Sequence, residues 1–132
     1  MLPSNEQMTD LLGDHFILFK PKDIVSGDFY WATRVKQWLI FSVADCTGHG
    51  VPGAFMSMLG VSFLNDIVHK EHITSAADVL NHLRDSIIDA LKQKGEGGEQ
   101  KDGMDIGLCV VDTKTNQMQF AGGYNPCWVI PN

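Results

Sequence analysis

Residues 43–59 read Val43-Ala44-Asp45-Cys46-Thr47-Gly48-His49-Gly50-Val51-Pro52-Gly53-Ala54-Phe55-Met56-Ser57-Met58-Leu59, an apolar strand that runs into a carboxylate, a glycine-rich turn and then a helix. The preceding Leu39-Ile40-Phe41-Ser42 extends the strand character, so Asp45 stands where a rigid element gives way to an exposed loop able to carry functional groups. Gly48 and Gly50 let the backbone turn sharply and come close to whatever Asp45 binds. Pro52 and Gly53 then lead into a helix predicted over 54–70.

A second carboxylate has the same setting. Ser26-Gly27-Asp28-Phe29-Tyr30-Trp31 places an Asp directly after a Gly, at the start of an aromatic strand. Two aspartates at neighbouring strand ends suit a hard divalent cation such as magnesium or manganese, which takes carboxylate, carbonyl and water oxygens. Each has a plainer reading: a lone Gly-Asp is usually a turn, and Asp commonly caps the turn that follows it. Their joint occurrence is what favours a metal corner.

The segment Lys20-Pro21-Lys22-Asp23-Ile24-Val25-Ser26-Gly27-Asp28-Phe29-Tyr30-Trp31, followed by Ala44-Asp45-Cys46-Thr47-Gly48-His49-Gly50-Val51-Pro52-Gly53-Ala54, resembles the bacterial SpoIIE/RsbU branch of the metal-dependent PP2C-like serine/threonine phosphatases. The resemblance extends over about residues 18–130. It implies a layered α-β-β-α fold, an antiparallel β-sandwich flanked by helices within the α+β class, and a centre of two Mn2+ or Mg2+ ions. Asp28, Asp45 and the backbone carbonyl of Cys46 would be metal ligands. The implied substrate is a phosphoserine or phosphothreonine on a bacterial regulatory protein, such as an anti-anti-sigma-like partner, with an upstream sensor module in the parent protein. In the family two further metal-binding acids lie downstream of the segment resembled by Ala121-Gly122-Gly123-Tyr124-Asn125-Pro126, and the sequence given stops at Asn132. Asp102-Gly103 precedes that segment and has the wrong order to supply one of them. The expectation is therefore an incomplete domain, with 1–14 as a lead-in or linker and 15–132 as its N-terminal and central part. Weak metal binding, little turnover in isolation and self-association through unpaired strand edges would follow.

His49 has two readings: it donates a proton to a leaving oxygen, or it fixes the loop through a hydrogen bond. His69-Lys70-Glu71-His72 has a ligand-like composition, but at a helix end without a third partner it reads as solvated surface. Trp31, Trp38 and Trp128 read as core or sheet-face residues, and Lys20 and Lys22 as exposed strand-end lysines. The sequence also admits a second functional class, a regulatory or binding module that keeps the fold without turnover.

With 132 residues, 44% of them hydrophobic, the chain is long enough for one domain with a real core. Its formal charge of -6 and scattered Lys and Arg lack the basic footprint of a nucleic-acid binder. Three cysteines without a Cys-x-x-Cys spacing indicate neither a disulfide framework nor a thiolate zinc site, so a reduced cytoplasm is the expected setting, with the parent protein free to be membrane-attached. Further along, strands are predicted over 15–20, 27–33, 37–44, 104–111, 117–121 and 127–130. Arg34-Val35-Lys36 would join the second and third of these. A second helix from Ser75 to Gly95 repeats apolar residues at helical spacing, with Ser75 and Asp78 as capping residues and Lys92 and Lys94 at its negative end. A glycine-rich loop follows. The apolar residues of 54–70 fall on nearly every face, which predicts burial between other elements.

Overall fold

A computed structural model describes residues 2–20, 26–46, 50–70, 75–93 and 103–131. Helix α1 (Asn5–Leu12) is followed by strands β1 (Asp28–Val35) and β2 (Trp38–Cys46) and helix α2 (Gly50–Asn65), which continues into one π-helical turn, Asp66–Lys70. Helix α3 (Ala76–Gln93) and strands β3 (Met104–Asp112) and β4 (Gln117–Gly123) complete it. The strands form one antiparallel sheet in the order β1-β2-β3-β4. The class is α+β, as the sequence predicts; of the expected sandwich, one sheet is formed among the described residues.

Alternation along the strands sorts the two faces. Phe29 and Trp31 of β1, Ile40, Ala44 and Cys46 of β2, and Ile106, Leu108 and Val110 of β3 are buried on one face. That face meets Met56, Leu64, Ile67 and Val68 and the α3 residues Ala76, Val79 and Leu83, forming one core. Polar groups caught there are paired: Ser42 Oγ donates to the Gly107 carbonyl at 2.9 Å, and Trp31 Nε1 donates to Asn65 Oδ1 at 3.0 Å. The other face presents Asp28 and Tyr30, Val43 and Asp45, Asp105 and Cys109, and Met118 and Phe120, with Asp28, Val43, Asp45, Asp105, Met118 and Phe120 exposed.

Helix α1 is held at its start by reciprocal bonds: Ser4 Oγ accepts from the Gln7 N–H at 3.2 Å, and Gln7 Oε1 accepts from the Ser4 N–H at 2.9 Å. It lies against β1 and buries Met8, while Leu2 packs on the core. Helix α2 begins at Gly50, earlier than predicted, because Pro52 falls in the first turn where its missing N–H is not needed. It is not buried all round. Met56, Ser57, Gly60 and Leu64 face inward, whereas Val51 and Met58 are 77% and 59% exposed. By length and composition Gly50–Lys70 could cross a membrane, but its buried face makes it the core helix of this sheet.

At Gly60 the helix comes so close that a Cβ would lie 2.9 Å from both Met104 Cε and Phe29 Cζ. The Met104 tip can yield; the Phe29 ring, 2% exposed, cannot. Gly60→Ala should therefore lower stability by roughly 1 kcal/mol, since overpacking at about 1–3 kcal/mol outweighs a helix-propensity gain of about 1. Urea denaturation measures this, and an increase in the midpoint would show that the helix can lift without cost.

Several predicted elements differ. Arg34 and Val35 belong to β1, and the hairpin turns on Lys36 and Gln37, with Lys36 at φ 55. No strand forms over 15–20 or 127–130. Their apolar composition suits a strand, but neither has a ladder partner among the described residues, and propensity alone supplies none. Phe16, Leu18, Trp128, Val129 and Ile130 are exposed. The N–H of Ala76 at the start of α3 is taken by Gln119 Oε1 of β4 at 3.0 Å. Glu71, His72, Lys94, Gly95 and the glycine-rich loop lie outside the described residues, as does the Lys92 side chain.

Candidate metal centre

Antiparallel pairing sets Asp28, the first residue of β1, directly opposite Asp45, near the end of β2. Directly opposed residues project from the same face, so both carboxylates stand on the open side of the sheet. They are close enough to act on one another through their side chains. Backbone contacts hold this end together. The Asp28 N–H donates to Ser26 Oγ at 2.9 Å, and the Cys46 N–H to the Gly27 carbonyl at 3.2 Å, one residue beyond the ladder.

Burial and a like-charged neighbour act together on Asp28. Asp28 is raised above its ordinary 3.8 by partial burial, then by its hydrogen bond to Asp45 and the Asp45 charge. A dication between the two would relieve this repulsion, and the all-oxygen donors match a hard cation, so the pair fits magnesium or manganese. The Cys46 side chain points to the helix face and is 2% exposed, leaving only its carbonyl for the metal side. Burial, then the charges of Asp45 and Asp28, push its thiol up to about 12, so it is protonated at neutral pH.

Asp28 dictates a pH response of the metal-free chain. Its folded pKa lies above its unfolded value, so the penalty is fully present above the folded pKa and vanishes as pH falls to about 3.8. Asp28→Asn should raise the metal-free melting temperature at pH 7 and remove its own contribution to the gain on acidification. Melting curves of both proteins between pH 7 and pH 4 in chelator check it. Parallel curves with no offset at pH 7 would show that the carboxylates do not strain the fold.

A cavity of about 220 Å³ opens on the pair, lined also by Lys20, Tyr30, Val43 and Asn125. The 17–20 segment forms one wall, where the Phe19 ring stands edge-on to Tyr30 with centroids 5.5 Å apart. Asn125 forms another and donates from Nδ2 to the Asp105 carbonyl at 2.9 Å. Asp105 is itself opposite Asp45, so β1, β2 and β3 carry an aspartate in one row. No set of three or more His, Cys, Asp or Glu side chains gathers as a metal cage among the described residues. His49, Thr47 and Gly48 lie outside them.

Sequence reasoning found the pair and missed its surroundings. Lys20 was assigned to exposed surface, and it is exposed, but it lines the cavity. Asp105 carries no local motif and is placed here by strand register, while Asn125, within the 121–126 segment, is brought here by the chain reversal after β4. Ser57 sits in an apolar helix and is fully buried, and its hydroxyl proton is shared between the Ala54 carbonyl at 2.9 Å and the Ser26 carbonyl at 3.1 Å. His69 meets Thr33 Oγ1 at 3.0 Å and Lys70 pairs with Asp66 at 3.2 Å, so both have surface partners away from the aspartates.

The sequence model of the family described as stage II sporulation protein E (SpoIIE) matches residues 36–131. Among solved structures, the SiaA-PP2C domain of Pseudomonas aeruginosa superposes with a TM-score of 0.78 at 35% identity, over 92% of this chain and 47% of that one. A stage II sporulation E family protein from Thermanaerovibrio acidaminovorans matches with a TM-score of 0.58 at 14% identity, over 70% of this chain and 43% of that one. A structure described under the bacterial stressosome matches with a TM-score of 0.57 at 19% identity, over 76% and 45%. The last two speak for the fold alone. The chain spans about half the length of these structures, and nothing among curated protein sequences matches it.

Proposed function

Since the chain belongs to the stage II sporulation protein E (SpoIIE) family, with its PP2C-like domains, we propose that it carries the metal-binding corner of a protein phosphatase acting on phosphoserine or phosphothreonine. The observation that supports this most is the pairing of Asp28 with Asp45 at adjoining strand ends under an open cavity. Asp28, Asp45 and the Cys46 carbonyl would hold Mn2+ or Mg2+, as one part of a two-ion centre in the complete domain. Bound there, the cations supply Lewis acidity for activating water and neutralising charge on the phosphoryl group. The chain's residues then have separate tasks. Asp28 and Asp45 fix the cation position from a rigid sheet. Lys20, at the cavity wall, offers a positive charge to the incoming phosphate, and Asn125 braces the opposite wall through its bond to Asp105. In this reading His49 serves either as proton donor or as loop anchor. The partner is a phosphorylated bacterial regulatory protein, such as an anti-anti-sigma-like one, and the parent is a cytoplasmic or membrane-attached signalling protein with an upstream sensor.

A second reading is a module that retains the fold and has lost turnover, with the aspartate pair as a binding site rather than a reaction centre. Phosphate release from a phosphoserine peptide with manganese, measured for this chain and for the parent protein, separates the two. Metal-dependent release by the parent, lost in Asp28→Asn, supports the phosphatase. Metal binding without release by the parent supports the module.

A further inference from the structure

Beyond β4 the chain folds back over the open face of the sheet. Tyr124, in the left-handed region at φ 65, reverses the direction, and its bridge to Ile106 is parallel. One residue on, Asn125 passes over Gly107, where an added Cβ would lie 3.7 Å from the Asn125 Cβ, and over Gly122, where it would lie 2.6 Å from the Asn125 carbonyl oxygen. Gly107 and Gly122 are themselves cross-strand partners, so bare backbone on both strands admits the returning segment. The pairs 106 with 124 and 107 with 125 share one offset. Continued by two residues, that offset sets Cys127 over Cys109.

Cys109 lies on the open face, flanked in register by Phe41 and Phe120. Cys127 is near enough to act on the Cys109 thiol, in keeping with that offset. Cys109 is buried and Cys127 exposed, so one thiol is open to reagents and the other lies directly behind it. The third cysteine, Cys46, is buried on the helix face of the sheet, away from both.

We propose that Cys109 and Cys127 form a reversible intramolecular disulfide, a modification site that fastens the 124–127 segment to β3. A low-molecular-weight disulfide such as oxidised glutathione is the oxidant. The Cys127 thiolate attacks one of its sulfurs, forming a mixed disulfide and releasing one glutathione thiolate. Cys109 then gives up its proton and attacks Cys127 Sγ, and the second glutathione leaves. Two protein thiols are oxidised, and one small disulfide is reduced to two thiols. Burial, then the neighbouring Cys127, push the Cys109 thiol up to about 12, so it enters the second step as a thiol that must first lose its proton. The bond would fix Asn125, two residues away, at the wall of the aspartate cavity.

The full chain is incubated with oxidised glutathione, alkylated and mapped by mass spectrometry. The expected product is a monomer with a Cys109–Cys127 linkage and an alkylated Cys46, returned to three free thiols by dithiothreitol. Cys46→Ser should form the linkage unchanged, and Cys109→Ser and Cys127→Ser should lose it. A stable glutathione adduct on Cys127 alone, a linkage involving Cys46, a disulfide between two copies, or no oxidation at all would each overturn the proposal.

Discussion

Asp45→Ala is expected to leave a folded protein that no longer responds to manganese. Asp45 is opposite Asp28 on one side and Asp105 on the other, the central position of the row, and its charge acts directly on Asp28. Removing it should weaken manganese binding by more than the roughly 10- to 100-fold that loss of an outer partner costs at metal sites. Phosphate release by the parent protein should fall at least as far. The fold should survive, because the carboxylate is exposed and its loss also relieves a like-charge contact. Free manganese counted by its paramagnetic resonance signal during titration, beside a melting curve in chelator, separates the two effects. Unchanged affinity would remove Asp45 from the centre, and a collapsed melting curve would assign it a structural task instead.

The same pair shows what could be read from the sequence. Gly27-Asp28 and Asp45-Cys46 were legible because each joins a strand pattern to a glycine-rich or aromatic neighbour, and the register that opposes them follows from a short hairpin. Helices α2 and α3 were legible from their length and apolar spacing. The segments 15–20 and 127–130 were misread as strands because composition reports only that a segment suits a sheet, while pairing depends on a partner elsewhere. The places of Asp105, Asn125 and Cys127 on the folded sheet were not legible for a related reason. Their positions are set by the β3 register and by the reversal at Tyr124, both fixed at long range. The all-round apolar character of α2 exceeds what one sheet face buries, and Val51 and Met58 are the excess.

Leu64→Ala and Ser57→Ala should separate the two tasks of α2. Leu64 is fully buried in the core formed by helices and sheet, so truncation loses burial and leaves a cavity at a cost of about 2–5 kcal/mol. Its effect on the aspartates should be small as long as the protein remains folded. Ser57 is different. Its hydroxyl donates to the Ser26 carbonyl, while the Ser26 hydroxyl accepts from the Asp28 N–H, so a two-bond chain runs from the helix to the first carboxylate. Alanine there removes a buried bond and leaves the Ser26 carbonyl short of a donor, costing about 1–3 kcal/mol. Because the bond fixes the backbone just ahead of Asp28, Ser57→Ala should also weaken manganese binding, which Leu64→Ala should not at temperatures where both are folded. Urea denaturation in chelator ranks the stabilities, and manganese titration well below the melting temperature ranks the affinities. A larger affinity loss in Leu64→Ala than in Ser57→Ala would mean that the helix acts on the aspartates through bulk packing, and that the serine chain carries no geometry to Asp28.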